Sequence, residues 1–370
     1  MRIMIVTDAW FPQTNGVVNT LAQTAAWLGR FGHEIRLITP SHFRSVPCPS
    51  YPEIRLSVFP YDRLAEGISS FSPDALHIAT EGPLGLAARR YCKTHGLRFT
   101  TSYHTQFPQY LALRYPIPQS LSYRTLRWFH GGATRCMVST QTVHNELAAR
   151  GFKNLARWQR GVDTELFRPR DKGFLNLPRP IAVCLGRVAV EKNVEAFLAM
   201  PWPGSKVVIG DGPARAQLEA QFPSAVFVGS RSGEDLASHV AAADILVFPS
   251  LTDTFGLVNL EAMACGVPVA AYPVTGPIDV VEDGITGALD QDLGRAAQRA
   301  LTINPAACRS RALRSGWEVS TRQFAGNLVA TTDRGALRLV VAGTSETMSW
   351  ARALPSAERE DRSLDHALTS

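Results

Sequence analysis

Two series of short, unbroken apolar runs, separated by stretches of helical spacing, constrain this chain more than any other feature. The first series is RIMIVTD, EIRLITP, ALHIAT, LRFTTSYH and RCMVS; the second is IAVCLGR, SKVVIGD, AVFVG, ILVFPS and PVAAYP. Most of these runs lack alternation of apolar with polar residues, so the strands should be buried on both faces. That requires parallel sheets covered by helices. The intervening stretches supply the helices, among them residues 16–31, stopped by Gly32, and GLAARRYCKTHG. Between the two series lies FRPRDKGFLNLPRPI, rich in Pro and charge, which reads as a linker. The expected architecture is α/β, with two Rossmann-like, doubly wound parallel-sheet domains facing across a cleft. In such sheets ligands bind beyond the carboxyl ends of the strands.

The length of 370 residues suits two domains. Residues 1–166 form the first, 167–180 the linker and 181–316 the second; after about Ala330 the pattern dissolves, and 331–370 reads as a disordered tail. The apolar run at the N-terminus is too short for a signal peptide, and no later run reaches about 18 uncharged apolar residues. A soluble, cytoplasmic protein is therefore expected. The six cysteines are scattered without CxxC spacing, which favours buried, reduced thiols over a metal site. Charge is uneven: residues 1–165 carry 18 Lys/Arg against 10 Asp/Glu, while the remainder carries 20 against 22. A basic first half should meet something anionic, such as phosphate or a membrane surface. Nucleic acid is disfavoured, since neither a Lys/Arg-rich run nor a recognition signature is present.

Several polar residues fall just after expected strands. Asn15 and Gly16 open a helix whose amides suit an anion, although an ordinary Asn cap explains them equally well. Arg187 and Lys192 follow IAVCLGR near a helix start, where two cations suit a diphosphate. Gly210 and Gly212, in VIGDGP, permit close approach of a base or ribose, or simply a tight turn. His104 directly follows LRFTTSY, as either a structural hydrogen-bonder or a catalytic group. The group LSYRTLRWFH reads as an interior helix with snorkelling arginines or as a membrane-facing one. Asp290-Gln291-Asp292 matches a metal-binding DxD pattern, but its place between a strand and a helix favours capping. Asp253 and Glu261 bracket the Gly-punctuated run TFGLVNL, an unusual place for two acids.

The motifs TDAWFPQTNGVV, ATEGPLG, SYHTQFPQY, RGVDTELFRP, GRVAVEKN, GDGP and PSLTDTFGLVNLEAMACGVPVAA together resemble the retaining GT-B glycosyltransferases of family 4. The resemblance runs from Met1 to about Ala330 and is strongest to bacterial lipid glycosyltransferases and GDP-mannose-dependent mannosyltransferases. It implies that Glu261 binds the ribose hydroxyls, a task suited to a carboxylate that accepts two hydrogen bonds at once. It implies further that Asp253 lies near the donor sugar hydroxyls, with Thr254, Phe255 and Gly256 presenting amides beside the diphosphate. Family members usually carry Glu where this chain has Asp253, which shortens the reach by one methylene. By the same resemblance Arg187 and Lys192 neutralise the departing diphosphate, Gly16 lies against the phosphates, and His104 contacts the donor sugar. Residues 317–330 resemble the helix that crosses back onto the first domain. No metal or resident cofactor is implied; the donor is a UDP- or GDP-sugar.

The resulting expectation is a metal-independent, retaining hexosyltransferase that moves glucose, glucuronate or mannose to a membrane lipid such as diacylglycerol. It would sit peripherally on the inner face of the cell membrane. A soluble or polysaccharide acceptor, or a catalytically silent sugar-nucleotide binder, is the alternative. A dinucleotide oxidoreductase is disfavoured because no GxGxxG follows the first strand.

Overall fold

A computed structural model describes residues 1–13, 15–48, 51–109 and 118–332. Strands β1 (Arg2–Val6), β2 (Glu34–Ile38), β5 (Ala75–Ile78), β6 (Thr100–Tyr103), β7 (Arg135–Val138) and β8 (Leu155–Arg157) form one sheet in the order β2-β1-β5-β6-β7-β8. Strands β9 (Ile181–Leu185), β10 (Ser205–Ile209), β11 (Val226–Gly229), β12 (Ile245–Phe248), β13 (Val269–Ala271) and β14 (Gly287–Leu289) form the other, ordered β11-β10-β9-β12-β13-β14. Every pairing within the two sheets is parallel. The central strands are buried because helices cover both faces; all four residues of β5, of β6 and of β12 are buried, polar ones included. An antiparallel hairpin of β3 (Ser45–Cys48) and β4 (Tyr51–Ser57) was not expected, since Pro47, Pro49 and Pro52 make that stretch read as loop.

Each sheet reverses its winding direction once, between β1 and β5 in the first and between β9 and β12 in the second. These two reversals open crevices at the carboxyl ends of the strands, where ligands of doubly wound sheets bind. The second crevice is lined by residues following β9 and β12.

The helix Trp317–Asn327 returns to the first sheet's side of the molecule. Ser320 Oγ donates to Gln159 O at 2.7 Å, Asn327 Nδ2 to Arg157 O at 2.6 Å, and Gln323 Oε1 accepts from Gln159 N at 2.7 Å. Phe324 joins Ile3, Ile5, Leu21 and Trp158 in the first domain's core. The chain then continues inward: Thr331 is buried, its N donates to Asp74 O at 2.8 Å, and its Oγ1 donates to Pro73 O at 2.7 Å. Thr331 thus belongs to the folded body and corrects the expected start of the tail. Residues 333–370, the rest of that segment, lie outside the described residues. All six cysteines are free and five are buried.

Candidate functional site

The crevice between β9 and β12 is small and open to solvent, and is lined by Leu185, Gly186, Arg187, Lys192, Pro249 and Ser250. Lys192 Nζ makes an ion pair with Asp253 Oδ2, so two residues read separately from the sequence form one unit. Lys192 does not sit at the start of a useful helix. It ends a 3-10 turn (Val190–Lys192), Asn193 follows in the left-handed region, and the helix Val194–Ala199 has only six residues. The two cations therefore stand beside a turn and not at the N-terminus of a long helix, and both remain at the crevice.

Beyond β12 the chain enters the segment bearing Asp253 and Glu261. Gly256 adopts φ 79° as the residue preceding the helix Leu257–Ala264, and a Cβ there would stand 2.6 Å from Asn259 Nδ2. A glycine is required for both reasons. Glu261 lies in the second turn of this helix. Among the described residues nothing bonds its carboxylate, and burial pushes its pKa up to about 7. Asn259 is fully buried with both side-chain amide atoms unpartnered. The backbone N–H groups of Thr254, Phe255 and Gly256 likewise meet no protein acceptor among the described residues. Unmade bonds of this kind at one place mark a site prepared for a polar ligand.

The same segment forms the seam between the domains. Thr254 O accepts from Ser139 Oγ at 2.8 Å and from Thr140 Oγ1 at 3.3 Å, and Thr254 Oγ1 donates to His104 O at 2.8 Å. Thr275 Oγ1 donates to Glu146 Oε1 at 2.9 Å, and Asp279 Oδ1 accepts from Thr142 N at 3.1 Å. His104 is therefore brought beside Asp253 and its neighbours. Its Nδ1 lies 3.1 Å from Arg160 Nη2, and its Nε2 is shut off from solvent without a partner. Burial first, then the nearby Arg160, His77 and His130, hold its pKa well below the ordinary value.

Gly16 also reaches the seam, since a Cβ on it would stand 3.3 Å from Leu257 Cδ1 across the domain boundary. Asn15 is a helix cap: its Oδ1 accepts from Val17 N and Val18 N, both at 3.0 Å, which occupies two of the amides read as an anion site. Gly210 and Gly212 are explained by packing. A Cβ on Gly210 would fall 1.9 Å from Gly186 O, and one on Gly212 2.4 Å from Val188 O. They let this loop lie flat on the loop that carries Arg187. Asp292 caps the helix Leu293–Ala300 through Arg295 N at 3.1 Å, and Asp290 Oδ1 accepts from Asp292 N at 2.9 Å, so the DxD match is a capping arrangement. No group of three or more His, Cys, Asp or Glu able to hold a metal occurs among the described residues.

Three features escaped the sequence reading. The crevice between β1 and β5 is filled by Asp8, whose carboxylate accepts from Leu84 N at 2.9 Å, Thr80 Oγ1 at 2.9 Å and Gly85 N at 3.3 Å. Burial raises the Asp8 pKa to about 6 against those hydrogen bonds. Glu81 pairs with buried His130 at 3.1 Å. Arg160, inside the quoted motif RGVDTELFRP, was given no role, and its only signal was a charge at a strand exit. The helix Gln119–His130 shows Leu121 and Trp128 to solvent at 47% and 55%, between exposed Arg124 and Arg127, and Phe59 is 95% exposed. The Arg89 guanidinium stacks on Trp128 at 3.8 Å. The helix buries Tyr123, Leu126, Phe129 and His130 against the first domain and shows its arginines and Trp128 outward, so it is interior on one face and open to solvent on the other. No helix among the described residues is long and apolar enough to cross a membrane.

The chain is similar to known glycosyltransferases. Residues 14–166 match the family described as Glycosyltransferase Family 4, and residues 179–303 that described as Glycosyl transferases group 1. A GDP-mannose-dependent alpha-mannosyltransferase of Mycobacterium tuberculosis is 31% identical over 78% of this chain and 83% of its own. The alpha-monoglucosyldiacylglycerol synthase of Streptococcus pneumoniae is 25% identical over 88% of this chain and 83% of its own. Among solved structures, Anabaena HepE in complex with UDP and glucose superposes with a TM-score of 0.67 at 16% identity, over 88% of this chain and 98% of that one.

Proposed function

This chain belongs to glycosyltransferase family 4, with the GT-B fold, and from that premise we propose that it transfers a hexose from a UDP- or GDP-sugar to a membrane lipid. Diacylglycerol is the acceptor we favour. The observation that carries the lipid reading is the exposed Leu121, Trp128 and Phe59 set among arginines of a domain with a basic balance. Aromatic and basic side chains together suit an anionic membrane surface. The name of the pneumococcal relative, a diacylglycerol glucosyl enzyme, supports the same acceptor. The mycobacterial relative's name supports GDP-mannose as donor, and the UDP complex of the Anabaena protein supports a UDP-sugar.

In this reading the ribose hydroxyls are held by Glu261. The diphosphate lies against the amides of Thr254, Phe255 and Gly256, with Gly16 across the seam, and Arg187 and Lys192 neutralise it as it leaves. Donor binding competes for Lys192 with Asp253, releasing that carboxylate towards the sugar hydroxyls. His104 faces the sugar near the reacting carbon. The acceptor hydroxyl attacks from the face the diphosphate leaves, the departing phosphate takes its proton, and the sugar is transferred with retention. The two cations serve as the electrophilic partner, so the scheme requires no metal. Each such contact contributes on the order of 3 kcal/mol to the transition state.

The test incubates the protein with UDP-glucose, UDP-glucuronate or GDP-mannose, each with and without diacylglycerol in mixed micelles, and reads released nucleoside diphosphate. Lipid-dependent release from one donor is expected, falling about 100-fold in Arg187→Ala. Release that ignores the lipid but rises with a soluble sugar acceptor would replace the lipid reading. Donor binding without release under any acceptor would mark a silent binder.

A further inference from the structure

We propose that Arg160 is a positioning residue that fixes which nitrogen of His104 carries the hydrogen, so that the ring presents a single N–H donor to the sugar. The proposal rests on the reading above, in which His104 meets the donor sugar. A guanidinium has five N–H donors and no acceptor. With Arg160 Nη2 at 3.1 Å from His104 Nδ1, that nitrogen must accept, and the hydrogen of a neutral ring must sit on Nε2. Nε2 is the atom left buried and without a partner. The ring is thus primed to donate to an oxygen that the protein does not supply, and a sugar hydroxyl or ring oxygen is the matching chemistry.

Arg160 is itself immobilised for the task. It is 4% exposed, its Nη1 donates to Trp158 O at 3.0 Å, and its guanidinium lies 4.2 Å from the Trp158 ring. His104 is fixed from the other side through its backbone, since its carbonyl accepts from Thr254 Oγ1 beside Asp253. The charged and titratable groups facing the ring are Arg160, His77 and His130, and each disfavours a second proton on it. His77 is tied up in its own hydrogen bonds to Thr100 Oγ1 at 2.9 Å and Ser102 Oγ at 3.0 Å, so it cannot substitute for Arg160. Burial holds the ring neutral, Arg160 adds to that, and the same contact selects its tautomer.

The direct test is nitrogen NMR of the whole chain with labelled histidine, His104 being assigned by loss of its signal in His104→Gln. The nine histidines make that subtraction tractable. The wild type should show a neutral Nε2–H ring that does not titrate between about pH 5 and 8, the range in which an unperturbed histidine changes charge. Arg160→Met should mix the tautomers or bring titration into that window, while Arg160→Lys, which keeps a cationic donor, should hold the wild-type pattern. A wild-type ring that is protonated, or hydrogenated on Nδ1, would overturn the proposal, as would a fixed tautomer surviving in Arg160→Met. This readout needs no ligand, so it decides the matter even if the donor reading fails.

A binding arm addresses the use of the hydrogen. Arg160→Met should weaken the sugar nucleotide about three- to tenfold, the value of one hydrogen bond. The nucleoside diphosphate alone should bind as in the wild type. Equal losses for both ligands would assign Arg160 to general support of the site and overturn its role towards the sugar.

Discussion

Burial holds the Glu261 carboxyl protonated up to about pH 7, against an ordinary value of 4.5. Ribose hydroxyls are donors, so binding them favours the ionised form and pulls that proton off. Donor affinity should therefore rise with pH up to about 7 and level off above it, losing up to about tenfold per pH unit below. Sugar nucleotides do not titrate in this range, and calorimetry from pH 5.5 to 8 reads the effect cleanly. The stability consequence has the opposite sign. The folded chain binds more protons than the unfolded one between pH 4.5 and about 7, so this group makes stability fall as pH rises through that window. Glu261→Gln should flatten both profiles, raising the melting temperature at pH 8 while weakening the donor. A melting temperature that ignores the substitution would show that the carboxyl is not desolvated as described.

At the scale of elements, the glycine-bearing loop after β10 and the loop after β9 act as one piece, because Gly210 and Gly212 let their backbones touch. Gly210→Ala must displace Gly186 O and strain a φ of 146°, and should cost about 2 kcal/mol or more in a urea titration. It should also weaken the donor, since Arg187 follows Gly186 directly. Gly29 gives the contrast: it lies inside the helix Gly16–Arg30 with nothing within 4 Å of an added Cβ. Gly29→Ala should stabilise by about 0.5–1 kcal/mol and leave activity unchanged. The strands themselves were readable because unbroken apolar runs permit few other structures, and the acids at 253 and 261 because a carboxylate in such a run needs a reason. What could not be read is contact across the chain. Nothing local to Lys192 announces Asp253, nothing in WQRGVD announces His104, and only packing distinguishes Gly210 beside a backbone from Gly210 beside a ligand. The β3–β4 hairpin was hidden by its prolines for the same reason, since sheet membership there depends on a partner strand and not on composition.

The whole molecule presents two surfaces with different tasks. One is the seam, where Ser139, Thr140, Thr142, Glu146 and His104 of the first domain meet Thr254, Thr275 and Asp279 of the second. These are single polar bonds, which suits domains that separate to admit substrate. The other is the arginine-rich face around Leu121 and Trp128. If it meets membrane, binding to vesicles containing anionic lipid should weaken with salt. Arg124→Gln should cost about 1 kcal/mol of that binding, roughly fivefold. Trp128→Ala should reduce binding even at high salt, where charge is screened. Flotation of the variants against vesicles with and without anionic lipid reads both effects, and equal binding by all of them would remove the membrane from the account.

In the proposed reading, the acid in the second turn of the helix Leu257–Ala264 and the cations after β9 together make a sugar-nucleotide site. Calorimetric titration of the purified chain with UDP-glucose, GDP-mannose and NAD tests it most directly. The account predicts binding of one sugar nucleotide at one site per chain, weakened tenfold or more in Glu261→Ala, and no binding of NAD. Binding of NAD in preference to both sugar nucleotides, or sugar-nucleotide binding indifferent to Glu261, would contradict it.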